Sequence, residues 1–259
     1  MESNDKTSPD QAASEKTAPI VVTHLSKSFG EQKVLDDINL TVSHGQTVSL
    51  LGRSGTGKSV LLRLLIGLDA PDSGQVSIGG VDITTLPTEE LNRIRNKLGF
   101  VFQQAALYDS LTLAENVEFP LKRQTKLSPD ERREKAKTLL ASVGLERDLD
   151  KLPSQISGGM KKRAGLARAL ALDPEIVFFD EPTAGLDPIS ASEIGQLISD
   201  LGKQRGTTSV VATHDIHGVR CFSDRTVLLD KGKVVIDGTF ADLQNSKNPF
   251  VVQFLSDAA

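Results

Sequence analysis

The octapeptide GRSGTGKS, residues 52–59, constrains the fold of this chain more than any other stretch. It fits the pattern G-x-x-x-x-G-K-[ST]. The apolar run QTVSLL precedes it and VLLRLLIGL follows. Strand, glycine loop, helix is the order in which such a loop turns its amides toward phosphate oxygens. Gly52, Arg53, Ser54, Gly55, Thr56 and Gly57 form the expected cradle, with Val60 at the opening of the helix. Lys58 is expected to reach the β- and γ-phosphates, and the Ser59 hydroxyl to ligate Mg²⁺. A buried strand feeding a helix also argues for a largely parallel α/β sheet.

Three further runs end on polar groups that suit the same sheet edge. IVFFDEP (176–182) delivers Asp180 and Glu181, which strand alternation sends in different directions. Ligands bind at the C-terminal ends of strands in such sheets. Asp180 is read as a metal ligand and Glu181 as the base that orients and deprotonates water. VVATHD (210–215) ends a strand on His214, and LGFVFQQ ends one on Gln103 and Gln104, where an amide can touch the metal or its water. His24, His44 and His217 read as surface residues.

The texture along the chain agrees. From residue 20, short β-rich runs (IVVTHL, VLDDINLTV) lead to QVSIGGVDI, a hairpin. Near residue 105 the pattern becomes helical. TLAE (112–115) and SPDE (128–131) are capping boxes, the second with Pro129 at N1 and Gly144 as the stop. Ala136, Leu139, Leu140 and Val143 make one apolar face. After residue 172 strands return, separated by a helix with Ile194, Leu197, Ile198 and Leu201 inward. RTVLLDKGKVVIDG reads as a hairpin turning near Lys231–Gly232. Residues 1–19, polar and without aromatics, read as a disordered tail.

Bulk properties exclude other classes. A net charge of −4 over 259 residues gives no electrostatic case for nucleic acid. No apolar run reaches the roughly 18–20 residues of a membrane span. The N-terminus has no apolar core of a secretory signal. The single cysteine, Cys221, excludes an internal disulfide and is expected to be a small, partly buried residue.

ISGGMKKR (156–163) is the remaining anomaly. Ser157 is a plausible N-cap, but glycines and cations are poor choices for a first turn. A bare, cationic helix start suits an anion. Together these runs resemble the nucleotide-binding subunit of ABC transporters over residues 20–245, with matching order. The P-loop is 52–59, the Q-loop Gln103, the signature Ser157, Gly158, Gly159 and Met160, the Walker B pair Asp180–Glu181, the D-loop 184–187 ending on Asp187, and the switch histidine His214. The resemblance implies an α/β P-loop NTPase cassette with a RecA-like core, an N-terminal antiparallel β subdomain and a helical insertion at about 105–172. Residues 246–259 would be a short C-terminal extension.

It further implies an ATPase using ATP and Mg²⁺, with Phe29 against adenine. Gln103 and His214 would join Glu181 in catalysis, and Ser59, Gln103 and Asp180 would form the metal set. The anion at the signature would be the γ-phosphate of ATP held by a second copy, with Asp187 at the seam. Lys161, Lys162 and Arg163 either raise the potential near that polyphosphate or form a solvated cationic face. A multi-span permease on the inner membrane is the implied partner, with the chain peripheral on its cytoplasmic face. Met160 departs from the usual Gln. SGGM followed by basic residues resembles the ATPases of Mla/MCE-type lipid transport, whose partners include MCE-domain and STAS-domain proteins. An amino-acid importer ATPase and a non-transport ATPase gating assembly are the alternatives. A DNA-repair version is excluded, because residues 60–156 are too few for a coiled coil between P-loop and signature.

Overall fold

A computed structural model describes residues 18–257. β1 (Ile20–Phe29), β2 (Gln32–Val42), β4 (Ser73–Ile78) and β5 (Val81–Asp82) form an antiparallel sheet in the order β2-β1-β4-β5. A second sheet runs β10-β9-β3-β8-β7-β6. It is built from β3 (Thr47–Leu51), β6 (Leu98–Val101), β7 (Ile176–Asp180), β8 (Thr208–Thr213), β9 (Arg225–Asp230) and β10 (Lys233–Gly238). Its pairs are parallel except the β9–β10 hairpin.

The parallel strands are mostly buried because both faces are covered, and apolar residues predominate with Ser49, Ser209 and Thr226 among them. Alternation splits each strand between two cores. Val48, Leu50, Ile176, Phe178, Val210 and Ala212 face one, and Leu51, Val177, Phe179 and Val211 the other. The first core is closed by the antiparallel sheet and by α1 (Lys58–Leu65), whose Leu61, Leu62, Leu64 and Leu65 are all buried. A short exposed helix, α2 (Thr88–Arg95), precedes β6. The second core is closed by α3 (Leu113–Gln124), α4 (Pro129–Ser142), α5 (Gly158–Ala169), α6 (Pro188–Arg205) and α7 (Ile216–Phe222). Both capping boxes form, at Thr112 and Ser128, and Gly144 takes the left-handed conformation after α4. α8 (Phe240–Gln244) and α9 (Pro249–Ser256) end the described chain.

Three expectations need correction. Most of the expected tail, residues 1–17, lies outside the described residues. Ala18 and Pro19, assigned to that tail, are buried, and the Pro19 carbonyl accepts a hydrogen bond from Gly79 N–H at 2.8 Å. β1 needs its first residues paired, which anchors the two before it. β6 stops at Val101, so Gln103 and Gln104 stand on the following turn and not on the strand. Cys221 is exposed, its thiol 3.6 Å from the His217 carbonyl, because it lies on the outer side of α7.

Candidate active site

The C-terminal ends of β3, β6, β7 and β8 open on one edge, and an open cleft of about 600 Å³ lies there. The loop after β3 supplies its floor. Gly57 holds φ 100° at the N-cap of α1, where an added Cβ would come within 2.7 Å of Leu35. Only glycine satisfies both constraints. No side chain caps α1 and no acidic residue occupies its first turn, so its leading amides remain available to an anion.

Lys58 is 5% exposed and donates to the Gly52 and Arg53 carbonyls at 2.8 and 3.1 Å. Its ammonium also lies 3.4 Å from Glu181 Oε1. Ser59 Oγ donates to Asp180 Oδ1 at 2.7 Å. Burial pushes the Asp180 carboxyl above its ordinary range, partly offset by the Ser59 hydrogen bond. A half-buried carboxylate beside a hydroxyl is a pair of hard oxygens that gains from a cation, and magnesium fits this set.

Glu181 makes contacts through both its side chain and its backbone. Its Oε2 is 2.8 Å from His214 Nδ1, so β7 and β8 bring the two expected catalytic groups into contact. Its backbone sits at φ 48°, in the left-handed region, at a cost of about 1–3 kcal/mol for a non-glycine residue. Hydrogen bonds hold it there. Glu181 N–H donates to the Ala212 carbonyl at 2.8 Å, and its own carbonyl accepts from Ala184 N–H at 3.2 Å and Lys162 Nζ at 3.0 Å. Gln103 also lines the cleft. Phe29 does not line it. It stands 51% exposed at the end of β1, with the Lys27 ammonium 5.4 Å from its ring centroid.

Ser157 caps α5 as expected, accepting from Met160 N–H at 3.2 Å. None of Ser157, Gly158, Gly159 and Met160 lines the cleft of its own chain. Asp187 caps α6, accepting from Ile189 and Ser190 N–H, and these hydrogen bonds hold its carboxyl below the usual range. An added Cβ on Gly159 would meet Ser190 Oγ at 3.2 Å and Leu186 at 4.0 Å, so the starts of α5 and α6 are packed together.

Within the basic run after the signature, Lys162 does not join a solvated cationic face. Lys162 is buried, bonded to Glu181 of the same chain, and its pKa is lowered by that burial. Arg163 lies 3.8 Å from Glu193 of α6, with its other contact at the Val143 carbonyl. Sequence reasoning also missed Arg168, which donates to the Ala105 and Ala106 carbonyls just after Gln103. Both alanines have positive φ, at 59° and 49°. The C-terminal segment was missed as well. Phe254 and Asp257 line the cleft, and Asp257 pairs with Arg53 of the glycine loop at 2.6 Å. The Asn248–Pro249 cap before an apolar run was the only sequence signal for α9.

The family described as "ABC transporter" matches residues 35–184. A probable ribonucleotide transport ATP-binding protein, mkl, of Mycobacterium tuberculosis is 44% identical over 92% of this chain, and the match spans 66% of that relative's length. The intermembrane phospholipid transport system ATP-binding protein MlaF of Haemophilus influenzae is 38% identical over 91% of this chain and 89% of its own. A methionine import ATP-binding protein, MetN, of Rhizobium johnstonii is 40% identical over 88% of this chain and 62% of its own. Among solved structures, a dimeric post-hydrolysis state of the ATP-binding cassette MJ0796, bound to ADP and Pi, superposes with a TM-score of 0.80. It is 38% identical and covers 85% of this chain and 98% of that one.

Proposed function

The chain belongs to the ABC transporter family, as an ATP-binding cassette of the ATPase type, and on that premise we propose that it is the ATP-hydrolysing subunit powering a separate membrane permease whose cargo is phospholipid or another hydrophobic molecule. The observation that carries the hydrolytic part is the convergence of Lys58, the Ser59–Asp180 pair and the Glu181–His214 pair on one sheet edge. The glycine-loop amides and Lys58 bind the phosphates. Ser59, Asp180 and Gln103 would hold magnesium, which neutralises phosphate charge when bound. Glu181 takes the proton of the attacking water, and His214 fixes the carboxylate's orientation. Phe29, exposed and flat, is the proposed stacking surface for adenine.

A second copy completes the site. The signature lies outside its own chain's cleft, and the structurally similar MJ0796 cassette forms a dimer. In the proposed dimer each signature helix caps the ATP of the other chain. The cargo reading is supported by the MlaF relative, which matches over nearly its whole length, whereas the match to MetN spans 62% of that protein. An amino-acid importer is the second reading, favoured by the MetN match alone.

ATP hydrolysis by the purified full chain tests the first part, and Lys58→Ala is expected to abolish nucleotide binding and phosphate release together. For cargo, the membrane complex isolated with the tagged chain is assayed for ATPase stimulation. Stimulation by phospholipid and not by methionine supports the lipid reading. The reverse overturns it.

The permease is proposed to dock beside the Q-loop. Tyr108 is 46% exposed and packs against Phe119 at 4.6 Å, with the Arg123 guanidinium over that ring. Buried Asn116 pins the segment by accepting from Tyr108 N–H and donating to the Tyr108, Leu111 and Thr112 carbonyls. Leu107 and Leu111 are half-buried, so they contribute less to an outer surface. Tyr108→Glu is expected to lose the membrane complex on co-purification while the isolated chain still binds ATP. Full recovery with normal transport rejects this surface. No helix among the described residues is long and apolar enough to cross a membrane; in this reading the permease provides attachment. A peripheral position on the cytoplasmic face of the inner membrane follows from that reading. MCE-domain and STAS-domain proteins are the further partners it implies.

A further inference from the structure

Lys162 is one of the few buried cations among the described residues, 7% exposed, and the mechanism above gives it no task. A buried ammonium is costly, and an apolar side chain of similar length would fill the same space without that cost. Its hydrogen bond goes to the carbonyl of Glu181, at 3.0 Å. That carbonyl belongs to the residue whose backbone is held in the left-handed region and whose carboxylate contacts both Lys58 and His214. Rotation of this one peptide would swing the carboxylate away from the water it must deprotonate.

The bond also has a direction. Lys162 stands on α5, and the first turn of α5 is the signature. About 1.5 Å of rise per residue places Lys162 roughly two turns or less from Ser157 on a rigid element. Farther along the same helix, Arg168 donates to the Ala105 and Ala106 carbonyls, the strained pair after Gln103. One helix therefore carries the seat for an external phosphate, a tether to the water-activating residue and a tether to the Q-loop.

We propose that Lys162 is a positioning residue for Glu181 of its own chain, and ties the carboxylate of one ATP site to the helix whose start caps the ATP of the other. Through this tether, the position of the signature helix in one site bears on the setting of Glu181 in the other. This rests on the two-copy site proposed above. It differs from a cationic cap, in which Lys162 would act on the partner chain's ATP by its charge.

Mixed dimers separate the two, with Lys162→Met as the length-matched variant lacking a donor. In one dimer a Glu181→Gln, Lys162→Met chain is paired with a wild-type chain. In the other, a Glu181→Gln chain is paired with a Lys162→Met chain. In both, the single working Glu181 lies on the chain without Glu181→Gln. Action within the chain predicts that the first dimer hydrolyses ATP like a Glu181→Gln/wild-type control. The second falls by about 10²-fold, the scale of a small misplacement of a reacting group. Lys162→Arg in place of Lys162→Met should recover most of that rate. The opposite pattern, with the first dimer slow and the second normal, overturns the proposal in favour of a charge acting across the seam. Equal loss in both, with a lowered melting temperature and no rescue by arginine, overturns it in favour of packing alone. Failure of Glu181→Gln chains to dimerise with ATP would instead count against the two-copy site itself.

Discussion

Replacing Glu181 with glutamine is expected to slow ATP hydrolysis by about 10²–10⁴-fold while ATP stays bound. The substitution keeps the side chain's length and its contact with His214, now 2.8 Å from Oε2, but removes the oxygen that can take a proton. Phosphate binding is carried elsewhere, by the uncapped amides of α1 and by Lys58. The backbone at φ 48° is unaffected, since it is fixed by main-chain bonds to Ala212 and Ala184 and by Lys162. Loss of the negative charge 3.4 Å from Lys58 also removes a competitor for its ammonium. The variant should therefore accumulate as an ATP-bound dimer. Gel filtration with ATP and Mg²⁺ reads this directly. A monomer that still binds ATP would reject the shared site, and near-normal phosphate release would reject Glu181 as the base.

Ser157→Arg is expected to abolish turnover in the assembled dimer and to leave nucleotide binding by the isolated chain intact. Ser157 is exposed and lies outside its own chain's cleft, so a bulky cation there does not obstruct the chain's own Lys58. It would occupy the space that the second copy's γ-phosphate needs. Losing the cap on Met160 N–H costs about 1 kcal/mol, which is too little to unfold the domain. Met160→Gln is the contrasting change. Its N–H is main chain and survives, and its side chain is half-buried against the core beneath α5 rather than presented to solvent. Turnover should change only modestly. Steady-state ATPase rates of both variants, beside ATP binding by each single chain, check the pair. Loss of single-chain binding in Ser157→Arg would place the signature in the wrong site.

Features legible in the sequence were those whose physics fits within a few consecutive residues. A glycine loop between strand and helix, with Lys58 and Ser59 at its exit, needs no distant partner to be recognised. Capping boxes at Thr112 and Ser128 close on residues three positions away, and both formed. Apolar strands with acids at their ends announced the buried sheet edge, and β7 delivered Asp180 and Glu181 there. The signature was legible as a helix start that no local reason explained.

What escaped the sequence was set by contacts between segments far apart along the chain. Lys162 looked like one of three equivalent cations, and Lys161 and Arg163 beside it give no hint of the difference. Only the packing of α5 against the loop after β7 buries its ammonium and offers it the Glu181 carbonyl. Arg168 finds the carbonyls of Ala105 and Ala106 across 63 and 62 positions, and Arg53 finds Asp257 across 204. Cys221 and the residues before β1 were misplaced for the same reason. The sequence alone determined the chemistry carried by each strand end, because alternation, helix capping and glycine's conformational freedom act locally. The tertiary structure alone decided which charges are buried and what they hold, because burial and pairing depend on which distant backbone groups the fold places beside them.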